Sequence, residues 1–290
     1  MGVDFSVICN NGDDIQARYN AAKALRPNNQ PLSPTNRAAL LVVPGHYGLL
    51  TADADYVDVM PTGQHQSIPS VFLMAIDVKA KDVRISGIGM ISPDTAFLAS
   101  GEPGQTFTNC RGGKNSFGGV GLTPKAGGTY INCVGGNESF GSGPGAVASG
   151  TFIDCTAGDG SFGSTGMPVV GLPAPTASGI FTNCTGGAGC FGGGYGNATG
   201  IFTNCSALDA SFGKVAAGRF SNCRGGKISF GEPGGVTGTF EFCVSGDGSF
   251  ANCEASARIL YCRVRAGGFG SNIKGTIRHS LDGNLNPVNT

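Results

Sequence analysis

The last two thirds of the chain repeat one short pattern of apolar and polar positions. In each of eight segments a cysteine follows an aromatic or aliphatic residue by three positions and precedes a phenylalanine by seven, with polar residues and glycine between them. Short apolar pieces bounded by glycine and asparagine are typical of β-strands. A unit of about 20 residues without a helical period predicts one coil of a parallel β-helix. The eight cysteines are Cys110, Cys133, Cys155, Cys184, Cys205, Cys223, Cys243 and Cys262.

Stacking the coils predicts which side chains face the interior. Equivalent residues of successive coils meet at the strand spacing of about 4.8 Å, so each position becomes a column of like residues. We expect the aromatic column and the cysteine column to face inward and the residue two before the cysteine, such as Thr182, to face solvent. Asparagine immediately before the cysteine, as at Asn183, predicts a left-handed bend and amide hydrogen bonds between coils.

The first third does not repeat but shows strand and helix patterns of its own. Residues Asp13–Leu25 have an amphipathic pattern with acidic residues at the start, which predicts a short helix. Residues 39–45 read as a buried strand and turn, and residues 82–89 as an alternating strand. We therefore divide the chain into an N-terminal segment with a capping helix (1–36), a parallel β-helix (37–270, with regular repeats over 107–270) and a C-terminal arm (271–290).

The order GDD, helix, LLVVPGHY, gap, DVRISGIG resembles the opening of the pectate-lyase-like right-handed parallel β-helix superfamily, which includes phage tail spikes. The turn VVPGHY is one residue shorter than the VVPxGxY of that family. The resemblance implies an all-β, right-handed parallel β-helix (solenoid) whose first coil is plugged by a short N-terminal helix. The NC-x-GG-x-x-SFG array also resembles repeats of phage and cyanobacterial virus proteins, which implies a virion component.

Composition narrows the classes of function. There are 19 basic and 19 acidic residues among 290, so no excess positive charge points to nucleic acid. The longest apolar runs, Ala38–Val43 and Val71–Ile76, are far shorter than a membrane span, and the N-terminus lacks the pattern of a secretory signal. We expect that the protein does not insert into a membrane. We also expect that it assembles in the host cytoplasm before it is incorporated into the virion.

The eleven cysteines predict buried free thiols. A one-dimensional column does not converge on a point as tetrahedral zinc requires, and parallel Cβ vectors suit a disulfide poorly. We predict no metal and no cofactor. Cys190, which replaces the serine of the Ser-Phe-Gly element, is the expected most accessible thiol.

Catalysis would need two carboxylates flanking a sugar. Glu138 and Asp159, on adjacent predicted coils, are the best available pair, although both are also typical solvated turn residues. The motifs of the family's lyases, such as Gly-His-Gly, are missing, and the phenylalanines belong mostly to internal columns. The sequence therefore favours a protein without catalytic residues over a polysaccharide hydrolase or lyase.

The insertion Ser164–Ser178 is a candidate partner loop. Its apolar residues Met167, Val169, Val170 and Leu172 have no place in the repeat and would either contact a partner or pack on their own coil. We expect a homotrimer that docks to other virion proteins, as a tail spike, fibre or head decoration, with host surface polysaccharide or a receptor as a further partner. An ice-binding solenoid is disfavoured because the outward column is too mixed.

Overall fold

The computed structural model describes residues 5–63, 68–118, 122–164, 169–231, 235–250, 252–264, 269, 272–282 and 286–288. One α-helix, α1 (Ile15–Lys23), and a short 3-10 turn (Pro27–Asn29) lie near the N-terminus. The strands in chain order are β1 (Ser6–Cys9), β2 (Ala38–Val42), β3 (Gly45–Ala52), β4 (Val57–Pro61), β5 (Val71–Val78), β6 (Asp82–Ser86), β7 (Ile88–Met90), β8 (Phe97–Ala99), β9 (Gly104–Thr108), β10 (Lys125–Ala126), β11 (Thr129–Ile131), β12 (Val147–Ala148), β13 (Thr151–Ile153), β14 (Thr176–Ala177), β15 (Ile180–Thr182), β16 (Asn197–Ala198), β17 (Ile201–Thr203), β18 (Val215–Ala216), β19 (Arg219–Ser221), β20 (Thr239–Glu241), β21 (Val244–Ser245), β22 (Arg258–Leu260), β23 (Arg263–Val264), β24 (Thr276–Arg278), β25 (Ser280–Leu281) and β26 (Pro287–Val288).

The strands form a parallel β-solenoid, as the repeat predicts. A 13-stranded sheet runs the length of the molecule in the order β1-β2-β4-β6-β9-β11-β13-β15-β17-β19-β20-β22-β24. Shorter sheets, β10-β12-β14-β16-β18 among them, form other faces of the coils. The registers are those of the sequence alignment, with Phe152 opposite Phe181 and Phe181 opposite Phe202. The all-β solenoid with one N-terminal helix is therefore confirmed, and its right-handed sense stays a prediction.

Helix α1 packs on the first strands. It begins at Ile15 because the Asp14 side chain accepts hydrogen bonds from the backbone N–H groups of Gln16 and Ala17, the usual role of an N-cap aspartate. Ile15, Tyr19 and Ala22 are buried against β1, β2 and β3. The helix ends at Lys23, two residues short of the predicted Leu25, and its position at the start of the long sheet fits the expected cap.

Two stacks of aromatic rings fill the repeated coils. One stack contains the residue three before each cysteine and the other the phenylalanine seven after it. Within a stack, neighbouring rings lie nearly parallel, as for Phe152 and Phe181 at 4.7 Å between centroids and 2° between planes. Between stacks the rings meet edge to face, as for Phe162 and Phe181 at 5.9 Å and 88°. Both geometries are favourable for aromatic pairs, so the predicted inward column is confirmed.

The bends of each coil use left-handed backbone. Asn183 has φ of 54°, and its side-chain amide donates to Asp154 Oδ1 at 3.0 Å, so the predicted asparagine bend and ladder are confirmed. Phenylalanines of the second stack are also left-handed, as Phe191 is at φ 53°. That conformation costs a bulky residue roughly 1–2 kcal/mol, and burial of the ring between two neighbours offsets the cost.

The C-terminal end has a cover on one sheet. Strand β26 pairs antiparallel with β25, with Ser280 opposite Val288. This is the only antiparallel strand pairing among the described residues, and it closes a ladder that is otherwise parallel. Part of the predicted C-terminal arm therefore folds back on the last coil.

Candidate functional site

Asp159 is a coil-to-coil cap in the solenoid wall. Its Oδ1 accepts a hydrogen bond of 2.7 Å from the backbone N–H of Ala188 in the next coil, and its own N–H donates to Asn137 Oδ1 at 3.1 Å. Asp209 makes the equivalent bond to the N–H of Lys227 at 2.7 Å. The carboxylates of this column thus satisfy backbone donors at a bend, which is the turn role that the sequence left open beside catalysis.

Glu138 has a different partner. Its Oε2 lies 3.5 Å from Lys114 Nζ in the preceding coil, and both side chains are about half exposed. Glu138 also occupies a left-handed position, with φ of 57°. An exposed pair of this kind contributes little to stability. The two acids of the candidate catalytic pair therefore each make a contact within the solenoid wall.

The capping carboxylate explains a glycine of the repeat. A Cβ on Gly187, which lies in the coil after Asp159, would stand 2.1 Å from Asp159 Oδ1. In the next coil, the position equivalent to Gly187 is occupied by Leu208. The residue equivalent to Asp159 in the coil before Leu208 is Ala188, which has no side-chain oxygen. The carboxylate is thus one reason for glycine at position 187, and the backbone N of Asp159, 2.7 Å from the same Cβ position, is another. Gly136 and Gly246 follow coils without a capping carboxylate, and a Cβ there would stand 2.8 Å from a backbone nitrogen.

The cysteine column faces inward and lies on backbone carbonyls. All eight side chains are buried and carry free thiols. The Cys184 Sγ lies 3.4 Å from the carbonyl oxygen of Phe152 in the preceding coil, and Cys205 makes the same contact with Phe181. Burial raises the pKa of Cys133 and Cys155 well above the ordinary thiol value. Protonated thiols in this setting act as small apolar side chains with weak donors rather than as nucleophiles.

Cys190 is not the accessible thiol that the sequence suggests. It is fully buried, and burial raises its pKa to about 12. It occupies a column of buried serines. Each side chain of this column accepts a hydrogen bond from the backbone N–H of the equivalent residue in the preceding coil. Its Sγ accepts from Ser161 N–H at 3.4 Å, and its own N–H donates to Ser211 Oγ at 3.3 Å. The prediction is wrong because the serine it replaces faces the interior.

The insertion loop exposes part of its apolar surface. Val170 is fully exposed and Val169 is 44% exposed, whereas Leu172 is half buried. The Leu172 Cβ lies close to Gly145, so the loop rests on the preceding coil through this residue. Met167 lies outside the described residues. The two alternatives for the loop thus apply to different residues of it.

An exposed aromatic stack marks the last coils, and sequence reasoning missed it. Phe242 and Tyr261 are 54% and 51% exposed, and their rings stack at 5.1 Å and 9°. The exposed His279 ring continues the stack at 5.0 Å and 10° from Tyr261. These residues continue the asparagine column of the earlier coils, and this change from Asn to aromatic was the available signal. The expectation that the phenylalanines belong mostly to internal columns is confirmed, and Phe242 is an exception to it.

Two arginines flank this stack. Arg258 and Arg278 are exposed and, with Leu260, Tyr261, Thr276 and His279, line a shallow groove. Leu260 lies opposite Arg278 in the sheet, and Arg258 lies opposite Thr276. Neither arginine forms an ion pair with an acidic residue in the described parts of the chain. Guanidinium groups in such a position bind carboxylate or phosphate oxygens well.

A second groove lies where the first third meets the repeats. Its lining includes Phe72, Met90, Pro93 and Arg111 together with the paired glycines of two coils. Over the described residues, His, Cys, Asp and Glu do not gather in any group of three that could hold a metal ion. In the same part of the chain, no helix has both the length and the apolar character needed to cross a bilayer.

Comparison of the chain with protein-family models, with curated proteins and with solved structures finds no match.

Proposed function

We propose that the protein is a non-enzymatic structural component of the exterior of a bacteriophage virion, a β-helical spike, fibre or head decoration. It works through shape, trimer assembly and attachment. Kinship with the pectate-lyase-like right-handed parallel β-helix superfamily is part of this proposal and rests on the sequence resemblance of the first third. The observation that carries the proposal is that the repeated aromatic, cysteine and serine residues serve as structural contacts between neighbouring coils of the solenoid.

The interior supports a role as a rigid rod. Two aromatic stacks, the cysteine column and the serine column each continue from coil to coil, so every coil is held by its neighbours through the same contacts. In repeat proteins, stability is a sum of such neighbour terms. The acids that might have served catalysis are engaged at bends or in an exposed pair. These features favour length and stiffness over chemistry.

The two ends favour association through the sides of the solenoid. Helix α1 covers the first strands, and β26 covers β25 in one of the shorter sheets at the other end, where the long sheet ends at β24. Covered edges resist strand addition, which would otherwise give open-ended fibres. Side-by-side packing is the expected route to a trimer, and the exposed residues Val169 and Val170 of the insertion, named here the loop surface, are the candidate contact.

The loop surface is tested by the oligomeric state. We expect the native mass of the purified protein to be that of a trimer. Val169→Ser together with Val170→Ser should shift the protein toward monomer at micromolar concentration, since exposed apolar side chains at an interface lose their buried area. Ile68→Ser, which changes a side chain that is 67% exposed elsewhere, is the matched control and should leave the trimer intact. A monomeric wild-type protein would contradict the trimer.

The absence of catalysis and the virion location need separate tests. The purified protein should release neither reducing ends nor unsaturated sugars from polysaccharides of the host, and mass spectrometry should find the chain in particles purified from the source culture. If sugars are released, and Glu138→Gln or Asp159→Asn abolishes the release, a polysaccharide-cleaving spike takes the place of this proposal. Absence of the chain from the particles would contradict the virion location alone.

A further inference from the structure

We infer that the last coils carry a docking surface for an acidic segment of another protein. The surface, here called the arginine–aromatic surface, consists of Phe242, Tyr261, His279, Arg258 and Arg278. It deepens the proposed function, because attachment to another component requires a contact site, and it gives that site a place and a partner chemistry.

The change of residue type along the columns singles out this surface. In the coils from Asn109 to Asn222 the column before the cysteine is made of Asn or Asp, whose side chains bond to one another, as Asn204 does to Asn183 at 3.1 Å. The last coils replace this polar ladder with three stacked rings. A buried role does not explain the change, because Phe242 and Tyr261 remain about half exposed. Exposed aromatic rings beside arginine have the composition of protein–protein interfaces.

Charge defines the partner. Arg258 and Arg278 point into solvent on the same sheet and form no ion pair with a described acidic residue. Glu241, which lies opposite Leu260 in the preceding coil, pairs with neither of them. Two uncompensated guanidinium groups around an apolar floor, Leu260, match a segment that presents carboxylates next to an apolar side chain.

The ring geometry favours a protein over a sugar or a nucleic acid. Both faces of the Tyr261 ring are covered, by Phe242 at 5.1 Å and by His279 at 5.0 Å, so only its edge meets solvent. Bases of single-stranded nucleic acids stack on open aromatic faces, and Tyr261 has none to offer. Ring edges and a leucine floor instead suit apolar side chains, whose contact does not depend on a stacking face.

The columns themselves supply substitutions that fit the fold. Tyr261→Asn restores the residue of the earlier coils, and Arg258→Thr copies the threonines opposite it, Thr239 and Thr276. Arg278→Thr copies Thr203 of the same column. The control is Arg111→Val, which removes one exposed arginine at the far end of the repeats and copies Val134 in the next coil. Circular dichroism and the unfolding temperature should be alike in all four variants.

The probe is a fluorescein-labelled peptide of four Glu-Leu pairs, measured by anisotropy with the full-length protein. We expect saturable binding that weakens with added salt. Arg258→Thr combined with Arg278→Thr should weaken it by about tenfold or more, in line with the loss of charge-assisted hydrogen bonds, and Tyr261→Asn by several-fold. Arg111→Val should bind as the wild type does.

Three competitor probes decide the class of partner. A Gln-Leu peptide of the same length, an oligodeoxythymidine and an oligogalacturonate should each bind more weakly than the Glu-Leu peptide. Equal binding of the Gln-Leu peptide, or tighter binding of the DNA or the sugar that is lost in the same variants, would overturn the inference. Trimer formation is read from native mass in the same samples, so a failed trimer and a failed docking surface are told apart.

Discussion

The first third and the repeated coils build the same solenoid with different interiors. In the first third, strands such as β3 and β5 are eight residues long, and aliphatic side chains such as Leu40 and Val59 fill the interior. In the repeats, the strands of the long sheet are three residues long, and stacked phenylalanines with cysteine and serine fill the space. The first third also contains a partly buried ion network, in which Arg37 binds the buried Asp58 at 2.9 Å and the more exposed Asp82 at 2.7 Å.

This difference shows two ways to stabilise a coil. Long strands provide many ladder hydrogen bonds and tolerate a varied aliphatic interior, so no residue has to match its copy in the next coil. In the repeats the strands are short, and backbone hydrogen bonds between coils continue through the bends, as from Thr185 N–H to the Cys155 carbonyl and from Gly186 N–H to the Ser206 carbonyl. Identical side chains that meet in columns and close backbone contact at the bends add to these bonds. The repeats should accordingly be the more sensitive region to single substitutions at a column.

Alkaline pH should lower the stability of the repeats more than that of the first third, and we expect this to be the largest difference between the two regions. The folded repeats hold buried thiols such as Cys133, Cys155 and Cys190 protonated because burial raises the pKa of each. The unfolded chain loses these protons above about pH 8.5. Unfolding therefore releases protons, and stability falls as pH rises above that value, by up to about 1.4 kcal/mol per thiol and pH unit.

Calorimetry from pH 7.5 to 10.5 in the presence of a reductant measures this effect. The unfolding temperature should fall steeply above pH 8.5 to 9, and a variant with Cys155, Cys184 and Cys205 changed to Ala should show a shallower fall. An unfolding temperature that is flat over this range would mean that the thiols ionise in the folded state.

Removing one ring from the stacks should cost more than removing an aliphatic side chain. Phe181→Ala should lower the free energy of unfolding by about 4 kcal/mol, because Phe181 contacts Phe152 and Phe202 in its own stack and Phe162 and Phe191 in the other. Leu40→Ala in the first third should cost about 3 kcal/mol. Urea unfolding gives both values, and hydrogen exchange should show faster opening of the coils on either side of Phe181. A smaller loss for Phe181→Ala than for Leu40→Ala would contradict the comparison.

Glycine substitutions test the backbone contact at the bends. A Cβ on Gly200 would stand 2.2 Å from the carbonyl oxygen of Gly179, which cannot move without shifting the coil. Gly200→Ala should therefore cost about 3 kcal/mol. Gly48 in the first third has open space around its Cβ position, so Gly48→Ala should change stability by less than about 1 kcal/mol. Urea unfolding measures the free energy of unfolding of both variants. Similar losses would contradict the expectation that the bends of the repeats are more sensitive to an added Cβ than the first third.

The capping aspartate gives the smallest and most specific effect. Gly187→Ala should destabilise by about 2 kcal/mol because its Cβ meets Asp159 Oδ1 at 2.1 Å and the Asp159 backbone N at 2.7 Å, of which Asp159→Ala removes only the first contact. Asp159→Ala alone should cost about 1 kcal/mol for the lost hydrogen bond to Ala188. The double variant resembles the natural pair Ala188 and Leu208, in which the first residue has no side-chain oxygen and the second residue has a Cβ. Its loss should be smaller than the sum of the single losses by about 1 kcal/mol. Additive losses would mean that Asp159 does not determine the glycine.

The fold could be predicted from the sequence because a solenoid stacks equivalent residues of successive repeats on one another. The cysteine, phenylalanine and asparagine columns follow from one alignment, and the structure pairs Phe152 with Phe181 and bends the chain at Asn183 as that alignment predicts. The same reasoning located α1 to within two residues at each end, since the Asp14 cap and the apolar period are local signals.

What the sequence could not decide is where neighbouring coils place their side chains relative to one another. The replacement of serine by Cys190 does not by itself indicate whether the thiol is accessible, because burial depends on the interior position of that column. The sequence left Asp159 between a catalytic and a turn role, and it could not show the backbone contact because the N–H that Asp159 binds belongs to Ala188, 29 residues away. The stacking of Phe242, Tyr261 and His279 also depends on contacts across coils, and so does the fact that Arg258 and Arg278 form no ion pair with a described acidic residue. The columns can be predicted from the sequence because they repeat along the chain, whereas the neighbours of each column are visible only in the folded solenoid because those contacts join different coils.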